Sequence, residues 1–109
     1  VKRGDVVLCV IAGDYGKPRP AVVIQSDLYN PTHYSVSVLP ITSHLVDAPL
    51  FRVDLKPGKQ NGLRKNSQVM VDKITAIRRD RIKESIGRLS PGAIAKIEEC
   101  LEHFLDLSA

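Results

Sequence analysis

Arg19 stands between Pro18 and Pro20, directly ahead of the apolar run Ala21-Val22-Val23-Ile24-Gln25. Proline fixes its own φ and holds the residue before it extended, so the backbone around Arg19 is stiff. A stiff guanidinium at the mouth of a buried strand presents a planar, permanently charged fork that suits phosphate. The same placement suits a salt bridge that pins a hairpin, and spacing alone does not choose between them. Thr42 and Ser43 follow Leu39-Pro40-Ile41, where their hydroxyls could orient a ribose or phosphate oxygen or cap the next turn. Asp72 closes another apolar stretch and could accept a hydrogen bond from a base edge or cap a turn. Tyr15, in the glycine-containing segment before Arg19, could stack on a base.

Other chemistries find little support. Gly13 and Gly16 lie in a turn-like stretch and do not have the spacing of a phosphate-cradling loop. His33 and His103 sit in a turn and on a polar helix face, where solvation explains them. His44 follows Thr42-Ser43 and could touch a ligand, but no Cys or second His lies near it, so no metal site is expected. Cys9 and Cys100 lie far apart inside apolar stretches, which is neither a metal spacing nor a disulfide framework. Reduced thiols and a cytoplasmic setting are the plain reading. No apolar run approaches the ~20 residues needed to cross a bilayer as a helix. The basic start runs straight into Val6–Ala12 with no small-residue cleavage site after it, so a signal peptide is not expected.

The net charge of +4 is unevenly distributed. Residues 1–51 are neutral, residues 52–88 carry +7 and residues 89–109 carry −3. A basic middle on a small chain favours a polyanionic partner, RNA or DNA being the usual ones, although a solvated Lys/Arg-rich surface would read the same way.

The 109 residues fit one domain. Val6–Ile11 and Ala21–Gln25 are apolar on both faces and read as buried strands. Tyr34–Ile41 alternates, with Tyr34, Val36 and Val38 on one face, and Pro40 is expected at an edge or bend. Further strands are expected at Leu50–Leu55, Ser67–Val71 and Ser85–Leu89, with a polar, basic loop at 56–62. Ser90-Pro91 then gives an N-cap followed by proline at the first helical position. Ile94, Ile97, Leu101, Phe104 and Leu105 fall on one face of an amphipathic helix of about four turns. The pattern predicts an α+β fold dominated by β, a small curled antiparallel sheet or barrel with one C-terminal helix.

Taken in order, these segments resemble a known family. Lys2-Arg3-Gly4-Asp5-Val6-Val7, Arg19-Pro20-Ala21-Val22-Val23-Ile24-Gln25-Ser26-Asp27 and Leu39-Pro40-Ile41-Thr42-Ser43 look like the MazF/PemK toxins of bacterial toxin–antitoxin pairs. Arg52-Val53-Asp54-Leu55, Gly62-Leu63, Ser67–Ile74 and Gly87-Arg88-Leu89-Ser90 continue the match over nearly the whole chain. The resemblance implies an SH3-like small barrel of five to six antiparallel strands with a C-terminal helix, of the CcdB/PemK-like kind. It also implies a dimeric endoribonuclease that needs no metal or other cofactor. Such an enzyme cuts single-stranded RNA to 2′,3′-cyclic phosphate and 5′-hydroxyl ends and is held in check by a cognate antitoxin. It maps the family's catalytic Arg onto Arg19 and its catalytic Thr onto Thr42, and places Ser43, Asp72, Tyr15, Lys17 and Gln25 toward the RNA. The segment from Ala12 to Pro18 is shorter than in many members and lacks their Glu-Gln pair. Met70 stands where at least one branch carries a basic catalytic residue. A gyrase-poisoning toxin on the same fold depends on a C-terminal Trp-Gly-Ile, and this sequence contains no Trp. A non-catalytic RNA- or protein-binding barrel is the other alternative.

Overall fold

The computed structural model describes residues 1–13 and 16–107. Seven strands and one helix follow each other as β1 (Asp5–Cys9), β2 (Arg19–Val23), β3 (Ser35–Thr42), β4 (Arg52–Leu55), β5 (Ser67–Met70), β6 (Thr75–Arg78), β7 (Ile82–Arg88) and α1 (Pro91–Phe104), with 3₁₀ turns at Val71–Lys73 and Arg79–Arg81. All pairings are antiparallel, in the order β4-β5-β3-β2-β1-β7, with β6 on β3. The mostly-β reading with a C-terminal helix holds. Two features differ from the expectation: the strands number seven, and the sheet is not closed into a barrel, since β4 and β7 lie at opposite ends of the pairing path. The additional strand is β6, whose Thr-Ala-Ile-Arg sequence buries only Ile77 and so carries little alternation to read.

Strands β1 to β3 are covered on both sides, as their apolar runs require. Val6, Val22, Leu39 and Ile41 enter one core together with Val53, Val69, Ile97 and Leu101. Their neighbours in sequence, Val7, Ala21, Val23 and Val38, enter a second core with Val36 and Ile77. Each fully buried aliphatic side chain is worth about 1.5–3 kcal/mol, so the central strands are the most firmly held part of the fold. Tyr34 is a correction to the alternation: it precedes β3 and is 74% exposed, while Val36 and Val38 are fully buried.

β3 changes partners along its length. Its first half, Ser35–Val38, pairs with β6, and its end, Ile41–Thr42, pairs with β5. On its other edge it pairs with β2 through Ala21–Pro40, Val22–Leu39 and Val23–Val38. The Ile24 N–H donates to the Ser37 carbonyl on that edge. Alternation then makes Ala21–Pro40 a non-hydrogen-bonded pair, in which the side chains stand closer together. The missing N–H of Pro40 therefore faces the other edge, in the interval between β6 and β5, where it interrupts no ladder.

The helix starts where the sequence places it. Ser90 Oγ accepts from the Ala93 N–H and Pro91 occupies the first turn. Only Ile97 and Leu101 are buried, whereas Phe104 and Leu105 remain exposed. Burial, with a smaller contribution from Glu99, raises the Cys100 pKa, which keeps that group a neutral thiol.

The loop between β4 and β5 is tied to β7 by close backbone approach. Gly62 has φ +72°, and a Cβ there would stand 2.1 Å from the Ile86 carbonyl oxygen. A Gly62→Ala variant is therefore expected to lose roughly 1–3 kcal/mol of stability. Chemical denaturation checks this, and an unchanged midpoint would show that the loop relaxes freely.

Candidate active site

The register that organises β3 also builds the site. The β2–β3 register runs from Val23–Val38 to Ala21–Pro40. Arg19, the first residue of β2, and Thr42, the last residue of β3, lie two residues beyond that last pair, at the same end of the two strands. Arg19 is exposed and Thr42 is half-buried. Both line a cleft of about 490 Å³, together with Ser43 and, from the β4–β5 loop and β5, Arg64, Lys65, Ser67 and Met70. Pro20, Pro40, Ile41 and Leu63 supply apolar surface. Among the described residues the lining holds three cationic side chains and no carboxylate.

Thr42 performs the capping task read from sequence and has capacity left. Its Oγ1 accepts from the His44 N–H at 3.0 Å. A hydroxyl can accept and donate at once, so its proton remains available to an anionic oxygen in the cleft. The segment after Thr42 is then fixed by Gln68, a buried residue opposite Thr42 on β5. Gln68 Nε2 donates to the Val46 carbonyl and to Asp54 Oδ1, while Oε1 accepts from the Val46 N–H and from Arg52 Nη1. Arg52 Nη1 also donates to the His44 carbonyl.

The other sequence candidates fare differently. Ser43 lines the cleft as expected, while His44 is exposed and joins the site through its backbone. Lys17 is exposed in the loop ahead of β2 and is not among the lining residues. Tyr15 lies outside the described residues.

Gln25 is not among the residues that line the cleft. It falls beyond the far end of β2, and its amide is used internally: Nε2 donates to Asn30 Oδ1 and the Ser35 carbonyl, and Oε1 accepts from the Ser37 N–H. It braces the turn at 25–37 with buried Asn30, whose Nδ2 donates to Asp27. The Arg3 N–H and that Asn30 amide hold the Asp27 carboxyl below its ordinary pKa.

Asp72 also stands apart from the cleft lining. It lies in the 3₁₀ turn Val71–Lys73, 3.9 Å from Lys73 Nζ through Oδ2, and does not line the cleft. The strand ends one residue earlier than expected, at Met70, and Met70 is the residue that reaches the cleft. Sequence reading missed Arg64 and Lys65 as individual residues, although both belong to the +7 segment. Among the described residues no group of three or more His, Cys, Asp or Glu is placed to hold a metal ion.

The sequence matches, over residues 2–105, the family described as PemK-like, MazF-like toxin of type II toxin–antitoxin system. The chain belongs to that family. It is 36% identical over 109 residues to the probable endoribonuclease MazF of Mycolicibacterium smegmatis, covering 99% of both chains. It is 30% identical over 111 residues to endoribonuclease EndoA of Bacillus subtilis, covering 98% of this chain and 96% of that one. Among solved structures, Mycobacterium tuberculosis toxin MazF-mt6 superposes with a TM-score of 0.83 at 22% identity, over 96% of this chain and 99% of that one. A MazE–MazF crystal structure from Deinococcus radiodurans gives 0.81 at 24%, over 99% and 97%. At such identities the structural likeness carries the fold, and the family rests on the sequence match. Among the described residues of the MazF-like chain no helix is long and apolar enough to cross a membrane.

The clamp made by Gln68 gives a prediction about this MazF-like site. Gln68→Ala removes the partner of both Val46 backbone groups and of Asp54 Oδ1, and should cost about 1–3 kcal/mol of stability. Thermal unfolding measures it, and a Tm equal to that of the wild type would contradict the clamp.

Proposed function

We propose that this toxin is an endoribonuclease that cleaves single-stranded RNA in the Arg19–Thr42 cleft. The observation that carries the reading is that these two residues, at neighbouring strand ends, line one cleft whose described lining holds no carboxylate. The endoribonuclease names of the mycolicibacterial and Bacillus relatives support it.

In the proposed reaction the ribose 2′-oxygen attacks the adjacent phosphorus. The O2′–P bond forms and the P–O5′ bond breaks, the 2′-hydroxyl loses its proton and the 5′-oxygen gains one. The products are a 2′,3′-cyclic phosphate and a 5′-hydroxyl. Because the nucleophile belongs to the RNA, the protein's work is alignment and stabilisation of the charge building on the phosphorane. Arg19 stabilises that charge through its planar guanidinium fork. Thr42 donates its hydroxyl to a non-bridging oxygen, and Ser43 at the cleft edge helps hold the strand. Bases splayed from a single strand are read by the loops around the cleft.

The reading extends to the assembly. Residues 1–109 act as one toxin domain in the cytoplasm, a second copy completes a homodimer, and a cognate antitoxin opposes the toxin. A solved complex of a mycobacterial endoribonuclease with its cognate antitoxin, of the same fold, supports the last point. No metal or cofactor takes part in this mechanism.

The test is cleavage of a pool of single-stranded RNAs covering all short sequence contexts, in EDTA, by the wild type, Arg19→Ala and Thr42→Ala. The wild type should cut, with 2′,3′-cyclic phosphate ends. Arg19→Ala should lose roughly 10²–10³ in kcat, as removal of a transition-state charge donor does, and Thr42→Ala should lose less. Arg19→Lys should recover only part of the rate, since it keeps the charge without the fork. Undiminished cleavage by Arg19→Ala would remove the proposed site, and a folded wild type that leaves the whole pool intact would contradict the enzyme.

A further inference from the structure

The cleft of about 490 Å³ is roomier than one phosphate needs, and its lining carries two further cations that the proposed cleavage step does not use. Arg64 and Lys65 lie in the loop between β4 and β5, both exposed and both lining the cleft that holds Arg19 and Thr42. Neither forms an ion pair with an acidic side chain among the described residues; the ion pairs there use Arg3, Lys73, Arg78 and Arg88.

Exposed cations on a mobile loop would be an ordinary solvated surface, but this loop is held at several points. Asn61 closes it from within: Oδ1 accepts from the Gly58 and Leu63 N–H groups, and Nδ2 donates to the Lys56 carbonyl. The Gly62 N–H donates to the Gly58 carbonyl, and the Arg88 N–H donates to the Gln60 carbonyl, which ties the loop to β7. A Cβ on Gly87 would stand 2.4–2.6 Å from the backbone of Gln60 and Asn61, so the two segments lie in direct contact. Leu63, immediately before the two cations, is buried in the core. On their other side Ser67 Oγ donates to the Lys65 carbonyl. The backbone bearing Arg64 and Lys65 is thus fixed at both ends, and less ordering remains to be done when a ligand arrives.

We propose that Arg64 and Lys65 form a second phosphate subsite, which holds a phosphodiester neighbouring the one at Arg19 and so sets the strand across the cleft. This rests on the RNA-cleavage reading of the same cleft. A phosphodiester fits the pair because Arg offers a fork, Lys a point charge, and Ser67 beside them a neutral lining. The same lining includes Pro20, Pro40, Leu63 and Met70, whose apolar surface offers a bed for base faces. The subsite binds substrate and transition state alike, so it acts on KM and leaves kcat in place.

Counterion release separates this subsite from general surface charge. The probe is a single-stranded RNA carrying 2′-O-methyl groups throughout, which has no free 2′-hydroxyl to attack, and its affinity is followed by fluorescence anisotropy against salt concentration. For single strands each lost phosphate contact lowers the slope of log K against log[salt] by about 0.7, so the Arg64→Ala/Lys65→Ala double variant, which loses one phosphodiester, should fall about 0.7 below the wild type. On cleavable RNA the same variant should raise KM with kcat unchanged. Lys56→Ala/Lys59→Ala removes equal charge from the same loop at positions off the cleft and should leave the slope as it was. An unaltered slope in the first variant, or an equal drop in the second, would overturn the subsite while RNA binding by the wild type stands. A wild type with no salt-dependent affinity for the probe and no cleavage would instead sink the RNA reading itself. Polyglutamate run in parallel distinguishes the remaining occupant: if the first variant loses affinity for it while keeping the RNA slope, the rim serves an acidic polypeptide and the proposal is wrong.

Discussion

β3 shares one edge between two partners while keeping a single register with β2 on the other. Pairing with β6 ends at Val38, pairing with β5 begins at Ile41, and Pro40 occupies the interval with its missing N–H turned toward it. The register with β2 spans that interval from Val38 to Pro40. That constraint brings the start of β2 against the end of β3 and sets Gln68 of β5 on the opposite side of Thr42. A slip of one residue would turn Arg19 and Thr42 to opposite faces and carry Val22 and Leu39 out of their core. The two cores therefore fix the register, and the register fixes the site.

The residues at the cleft divide by how they are held. Arg19 and Thr42 take their positions from the ladder and from the prolines beside them. Ser43 and the segment to Val46 depend on Gln68, which spends both ends of its amide there and draws Arg52 and Asp54 into the same network. Arg64 and Lys65 depend on a loop anchored to β7 and to the core. A rigid frame under exposed polar groups is what charge stabilisation of a metal-free phosphodiester cleavage asks of a protein, because donors already aimed at the phosphate need not be reorganised during the reaction.

Much of this was legible in the sequence, for identifiable reasons. The double-sided apolar runs at Val6 and Ala21 announced strands buried on both faces, Ser90-Pro91 announced the helix, and the prolines around Arg19 and before Thr42 marked two strand ends worth attention. What the sequence left hidden has a common cause. Gln25 and Asp72 lie close in sequence to strand ends, but the direction of a side chain there depends on what packs against it. Gln25 meets Asn30, Ser35 and Ser37 and turns inward; at Asp72 the chain has already left β5 for a 3₁₀ turn. Arg64 and Lys65 reach the cleft only because Gly62 and Gly87 let two distant backbone segments touch, which no local pattern encodes. The open sheet and the short β6 were hidden in the same way, since pairing partners are settled by tertiary packing.

The central claim is that Arg19 and Thr42 act on one phosphate as a unit. The most direct measurement is a double-mutant cycle in single-turnover RNA cleavage, with Arg19→Ala, Thr42→Ala and the pair together. If both hold the same phosphorane, the double variant should be impaired by clearly less than the product of the two single losses. Losses that multiply in full would mean that the two residues act independently, and would contradict the account.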